Sequence, residues 1–273
     1  MMKHLSASVK LAVRYEPYKD RGHFDFYETD KQRWHFYTHL FNIPKASKFL
    51  FESNQDLFSA FFKTFKGVDL DPVPFGMELP PSSTLKESSQ NLLNSLSSRY
   101  GVLNLGASES FRCYRYYNRI VRYLNEGIQL VICGTTPDEA REASKLVKVH
   151  KNAISLVGKT SLLEYAYIIK GAEFALGNES SISHLAAAHI FILSSGSSYV
   201  TFHPYPKTLC ATQHMIYPLE FASIRESDKI WEHRDVNTIK PNAVIASIKD
   251  NAPHLLKENT PYDIDKDYFI EEA

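Results

Sequence analysis

Residues 153–181 read AISLVGKTSLLEYAYIIKGAEFALGNESS. AISLVG is a short apolar run of strand length that closes on Gly158. Ser161 then opens a new segment, and Glu164 follows three residues later. That pair can satisfy the first free amides of a helix reciprocally. SLLEYAYIIKGA therefore predicts a helix, and EFALGN predicts a second strand that closes on Asn178. Strand, capped helix, strand is the βαβ unit from which parallel sheets are built.

The same rhythm extends in both directions. YGVLNLG (100–106), IQLVICG (128–134) and IFILSS (190–195) are further apolar strand candidates. YNRIVRYLNEG (117–127) predicts a helix, as does TPDEAREASKLVKV (136–149). In the latter, Thr136 is the N-cap, Pro137 the first helical residue, and acids fill the first turn. SISHLAAAH (181–189) reads as a helix start and KPNAVIASIKD (240–250) as a final helix. The strands are apolar on both faces, as buried parallel strands are. The expected fold class is α/β: a Rossmann-like parallel sheet with helices on both faces, plus a partial N-terminal α/β domain.

The first 85 residues lack this rhythm. VKLAVRY (9–15) and HFDFY (23–27) could be strands, and QDLFSAFFKTF (55–65) a helix. DLDPVPFGMELPPSS (69–83) is proline-rich and reads as an extended linker. The expected division is 1–85 for the N-terminal part and linker, 86–253 for the Rossmann-like domain, and 254–273 for a polar, loosely ordered tail. An aromatic loop containing FHPYPK (202–207) lies between the fifth strand and the final helix.

Composition narrows the function. The formal net charge is zero over 273 residues, which argues against an extended nucleic-acid footprint, though not against a local basic patch. Cys113, Cys133 and Cys210 are scattered, without a CxxC pair, which argues against a disulfide framework or a zinc site. No apolar run approaches the ~18 residues of a membrane span, and the first residues lack a signal-peptide core. These features point to a cytoplasmic protein and leave a peripheral contact with the inner membrane open.

In an open α/β sheet the ligand crevice lies beyond the carboxyl ends of the strands. Four polar segments gather there: GASES (106–110), GTTPDE (134–139), GKTS (158–161) and NESS (178–181). GASES lacks the second glycine of a nucleophile elbow. Its serine, with His184 elsewhere in the chain, keeps a hydrolase only as a third reading. Gly158-Lys159-Thr160 has Ala153 where a P-loop needs its first glycine, so a P-loop NTPase is rejected. Lys159 is either a surface lysine or a nucleotide contact. Glu179 and the serines beside it either cap a helix or receive sugar hydroxyls and phosphate. His184 is either packed or part of the site, and no acid-rich or H-x-x-x-H cluster accompanies it as a metal site would require. RCYRYYNRIVRY (112–123) reads as a helix with a solvated basic face, and Arg112 is the residue placed at a diphosphate.

Several of these motifs, in this order, resemble the second domain of the heptosyltransferase-like family 9 glycosyltransferases. Gly106-Ala107-Ser108 followed by Arg112 and Tyr114 is similar to its opening, and VICGTTPDEAREA (131–143) to its next strand and acid. SLVGKTSLLEYAYIIKGAEFALGNESSISHLAAA (155–188) resembles its longest signature, and TFHPYPK (201–207) the aromatic-proline loop of one branch. The resemblance covers roughly 100–250. It implies a GT-B fold of two Rossmann-like domains with the active site between them. It further implies a nucleotide-sugar donor such as an ADP-heptose, a lipopolysaccharide-type or other glycan acceptor, and inverting transfer without a metal or other cofactor.

The donor-binding residues so implied are Ser108, Arg112, Gly134, Thr135, Glu139, Gly158, Lys159, Asn178, Glu179, Ser180, Ser181 and His184. Arg112 replaces the family's usual Lys near the phosphates, Glu139 falls near the acid that contacts ribose, and Glu179 replaces the commoner Asp at the sugar. Ser181 stands where many members have Gly. The family's base comes from the first domain. Here its candidates are Glu16, Asp20, His23, Asp25, Glu28 and His35, in a segment without βαβ order. The expectation is a donor-binding chain whose transfer is slow or absent, the alternative being a non-catalytic nucleotide-sugar binding or interaction protein.

Overall fold

The computed structural model describes residues 11–15, 39–43, 59, 62–63, 66–69, 79–185, 189–196, 212–221, 234–258 and 269–271. The chain divides into two compact units, Met1–Gly76 with Val200–His203, and Met77–Tyr199 with Pro204–Ala273. In the first unit, strands β1 (Leu11–Tyr15) and β2 (His39–Ile43) pair in parallel, Leu11 opposite His39. The predicted strand 23–27, the six base candidates and the aromatic loop 202–207 lie outside the described residues.

The second unit holds a seven-stranded sheet. Its strands are β3 (Tyr100–Asn104), β4 (Gln129–Cys133), β5 (Ala153–Ser155), β6 (Phe174–Asn178), β7 (His189–Leu193), β8 (Gln213–Tyr217) and β9 (Phe269–Glu271). The spatial order is β5-β4-β3-β6-β7-β8-β9. Every pairing is parallel except that of β8 with β9. The parallel strands thus follow the dinucleotide-fold order, in which strand order reverses between the first and fourth strands, here β3 and β6. The predicted polar tail supplies β9, and Leu255 and Leu256 within it are buried, so it is not wholly loose. Strand β8 was not foreseen.

The helices are α1 (Glu87–Asn94), α2 (Tyr117–Val121), α3 (Pro137–Val149), α4 (Leu162–Lys170) and α5 (Pro241–Asn251). Successive strand residues point to opposite faces. Leu103, Ile132, Leu176 and Leu193 pack with α2, α3 and α5 on one face. Val102, Val131, Ala175 and Ile192 pack with α4 on the other, where Leu92 and Leu93 of α1 also lie. The change of face has a topological cause. Right-handed crossovers running outward from β3 to β5 put α2 and α3 on one side. The reversed crossover from β5 to β6 puts α4 on the opposite side. Each fully buried aliphatic side chain contributes about 1.5–3 kcal/mol of transfer free energy.

Two predicted helices are shorter than expected. The segment 112–123 is helical only as a 3₁₀ turn ending at Arg112 and as the five residues of α2. Tyr114 and Tyr117 turn inward and are buried, so the segment is not a regular helix with one solvated face. Residues Ser181–His184 form a 3₁₀ turn, and Leu185 leaves it in an extended conformation. Residues 186–188 lie outside the described residues. Among those described, no helix is long and apolar enough to cross a membrane.

Candidate functional site

The crevice at the β3–β6 switch point is built on two asparagines. Asn178 ends β6 with its side chain fully buried. Its Oδ1 accepts from the Tyr114 amide (3.0 Å) and the Tyr117 hydroxyl (2.9 Å), and its Nδ2 donates to the Leu105 carbonyl (2.7 Å). Asn104, at the end of β3, donates to the Gly106 carbonyl (2.9 Å) and Ser180 Oγ (3.1 Å) and accepts from the Tyr165 hydroxyl (2.9 Å). Burial holds the Tyr114, Tyr117 and Tyr165 hydroxyls above the ordinary phenol range, so they act as neutral donors. Asn178 therefore anchors the 105–117 loop to β6, with both its side-chain oxygen and its side-chain nitrogen bonded within the chain. Asn104, Tyr117 and Tyr165 were missed; a lone Asn in the apolar run YGVLNLG was the available signal.

Glu179 follows at once and behaves differently. Its side chain is 2% exposed. Oε2 accepts a very short hydrogen bond from Ser194 Oγ, while Oε1 has no hydrogen-bond partner. Arg112 Nη1 stands 3.9 Å from Oε1, which is charge contact without a hydrogen bond. The Nε of Arg112 is likewise buried and unpartnered, and the side chain is 23% exposed. The capping reading fails: the N-cap of the 3₁₀ turn is Ser180, and no side chain caps it. Burial lowers the His184 pKa while the nearby Glu179 raises it, with burial the larger effect. His184 is thus a neutral neighbour of the acid at pH 7.

The remaining candidates lie along the same edge. Thr136 and Glu139 form a complete capping box at the start of α3, and Glu139 Oε2 also accepts the Thr135 amide at 2.6 Å. Glu139 lies across the ends of β3 and β4: a Cβ on Gly106 would stand 2.8 Å from its Oε1, and one on Gly134 2.4 Å from its Oε2. Those two glycines are what let the acid cover both strand ends. The Gly158 amide donates to the Gly134 carbonyl at 2.9 Å. Lys159 is exposed and turns back to the Ser155 carbonyl, 3.1 Å from its Nζ. Ser108 and Ser181 are exposed.

The structure thus brings Arg112, Glu179, Ser180 and His184 together at the switch point. Glu139 with Gly134 and Thr135 lies one strand over, and Gly158 with Lys159 two strands over. The N3 amides of α3 and α4 are already taken by Thr136 and Ser161, and the turn after β6 is not an α-helix. Among the described residues, the Arg112 guanidinium is the positive charge beside Glu179 at the switch point.

The model of glycosyltransferase family 9 (heptosyltransferase) matches residues 22–189. No curated protein sequence matches the chain significantly. The structure is similar to that of E. coli heptosyltransferase WaaC with ADP, at 18% identity and a TM-score of 0.50, over 81% of this chain and 61% of that one. The same enzyme with ADP-2-deoxy-2-fluoro heptose gives 19%, 0.52, 80% and 60%. A family 9 glycosyl transferase from Veillonella parvula DSM 2008 gives 14%, 0.55, 79% and 63%. The chain spans about three-fifths of the length of these structures, and they share its fold. With a family match over more than half of its residues and the GT-B type of sheet beneath it, the chain belongs to glycosyltransferase family 9, the heptosyltransferase-like glycosyltransferases.

Proposed function

We propose that the chain binds a nucleotide-sugar donor of the ADP-heptose type at the β3–β6 switch point and serves in transfer of its sugar to a lipopolysaccharide or other glycan acceptor. Arg112 holds the diphosphate, Glu139 faces the ribose, and Glu179 Oε1 receives sugar hydroxyls. Glycine and serine backbone along 106–108, 134–135, 158 and 180–181 lines the remainder. The observation that carries this reading is the pair of buried, unpartnered polar atoms, Glu179 Oε1 and Arg112 Nε, at the crevice where this fold takes its ligands. A sugar hydroxyl and a phosphate oxygen are the groups that would satisfy them. The donor chemistry also suits the neighbours bound to ADP and to ADP-2-deoxy-2-fluoro heptose. Transfer proceeds with inversion and without a metal, at a cytoplasmic site beside the inner membrane.

Calorimetry against ADP tests the phosphate end. Arg112→Ala should weaken binding by about 1.5–3 kcal/mol, the loss of a charge-assisted contact. Unchanged affinity would remove Arg112 from the site. The competing reading is a non-catalytic nucleotide-sugar binder. Incubation with ADP-heptose and a lipopolysaccharide-core acceptor separates the two. Donor binding with no transferred sugar favours the binder, and turnover on the order of 1 per second establishes the enzyme.

A further inference from the structure

The sheet register brings a residue from another strand against the acid of the site. Asn178 of β6 pairs with Leu193 of β7, so the residues that follow, Glu179 and Ser194, leave the sheet side by side. The Glu179 amide donates to the Leu193 carbonyl at 2.9 Å, and the Ser194 amide to the Ile216 carbonyl at 2.9 Å. Both backbones are therefore still held as strands are.

The direction of the hydrogen bond between the two side chains is fixed by what else Ser194 touches. Its Oγ accepts the Gly196 amide at 3.1 Å, which leaves the single hydroxyl proton for Glu179 Oε2. Glycine is required at 196. It sits at φ +81°, where side chains are strained, and a Cβ there would fall 2.3 Å from the Phe221 ring. Ser194 is 1% exposed and Glu179 2%. The amide of a glycine turn thus orients a buried hydroxyl, the hydroxyl takes one carboxyl oxygen, and the other oxygen remains unpartnered beside Arg112.

We infer that Ser194 is a positioning residue for sugar recognition. It pins Oε2 so that Oε1 is offered to the hydroxyls of the donor sugar rather than closing onto Arg112. Without the pin, the carboxyl is free to turn and take the Arg112 guanidinium in a two-point pair, for which a carboxyl and a guanidinium are well matched. The sugar would then lose its acceptor. This role rests on the donor-site reading above. It adds that selection of a sugar-bearing nucleotide over a bare nucleotide depends on a residue that never touches the ligand.

The test is calorimetry on the full chain with two probes, ADP and the non-transferable ADP-2-deoxy-2-fluoro heptose. Ser194→Ala removes the hydroxyl. Ser194→Cys, a poor donor of similar size, controls for the small cavity, and urea midpoints without ligand verify folding. Both variants should bind the fluoro-heptose nucleotide about tenfold more weakly and ADP within about twofold of the unaltered chain, the scale of one hydrogen bond to a charged group. In a Glu179→Gln background, the same Ser194 changes should add less than about twofold, because the pinned carboxylate is gone. Equal losses for the two probes, or a full tenfold loss persisting beside Glu179→Gln, would overturn the positioning role and leave the donor site standing. Fluoro-heptose affinity unchanged by Glu179→Gln alone would remove the donor reading at this residue, and the role of Ser194 with it.

Discussion

Asn178 spends its hydrogen-bonding capacity on its own chain. Its carbonyl oxygen takes both tyrosine-segment donors, and its amide reaches Leu105. Replacing it by Ala leaves the Tyr114 amide and the Leu105 carbonyl without partners, while the Tyr117 hydroxyl keeps the Asn104 carbonyl at 3.3 Å. Each costs about 1–3 kcal/mol when orphaned, and local relaxation recovers part of the sum. Asn178→Ala should therefore lose ~2–4 kcal/mol in urea unfolding, and a loss below ~1 kcal/mol would show that the 105–117 loop is held by other contacts. The sequence could mark Asn178 and Glu179 as the polar end of a strand, but it could not divide the labour between them. That division depends on Tyr117, 61 residues away, and on Ser194, 15 residues on. Arg112 was legible because it follows a Gly-Ala-Ser turn. Its second neighbour, the orphaned Glu179 oxygen, exists only in three dimensions.

Elements defined by local chemistry were read correctly. The capping box of Ser161 with Glu164 forms as its spacing implied, and Thr136, read as an N-cap, proves to form a second box with Glu139. The strands between them form as well, because an apolar run closed by Gly or Asn has little alternative. The failures are elements that tertiary contacts override. SISHLAAAH contains good helix formers, yet Ser183 Oγ donates to the Ser180 carbonyl and Leu185 turns extended. In RCYRYY, burial of Tyr114 and Tyr117 outweighs helical continuity. Capping can be tested directly. Thr136→Ala should cost ~1 kcal/mol, lowering the melting temperature by about 2–4 °C for a unit of this size. An unchanged melting temperature would mean that Glu139, through its bonds to the Thr135 and Thr136 amides, holds the turn alone.

At the scale of the whole molecule, the two edges of the sheet have different chemistry. The carboxyl edge gathers the site, and the opposite edge gathers histidines. His189, which begins β7, stacks on His214 of β8 at 5.8 Å between ring centroids, and His214 also stacks on Phe191 at 4.8 Å. His254 meets His189 edge-on and pairs with Glu173, which Arg99 holds from its other side. The alternation of strands and helices was enough to imply the parallel sheet. The pairing of β8 and β9 across more than 50 residues of sequence was not visible locally.

This histidine stack makes stability depend on pH. Burial, with the neighbouring His189 adding to it, pushes the His214 pKa down to about 4, against 6.5 for a free side chain. The unfolded chain therefore binds more protons than the native one between those values, so stability falls as pH drops from about 6.5 toward 4. A shift of this size corresponds to roughly 3 kcal/mol at full strength. His214 is only partly buried, and solvent screening reduces the contribution to about 1–2 kcal/mol. His214→Phe keeps an aromatic face against Phe191 and His189 and removes the titrating group. Urea unfolding at pH 7 and pH 4.5 should show a smaller loss for the variant than for the unaltered chain, by about 1 kcal/mol. Parallel losses in the two proteins would mean that acid sensitivity arises elsewhere, with His189, whose pKa burial also lowers, the next group to test. Glu173 acts only at lower pH. Its pairs with Arg99 and His254 hold its pKa below the ordinary carboxyl value, so its contribution is lost at lower pH than that of His214.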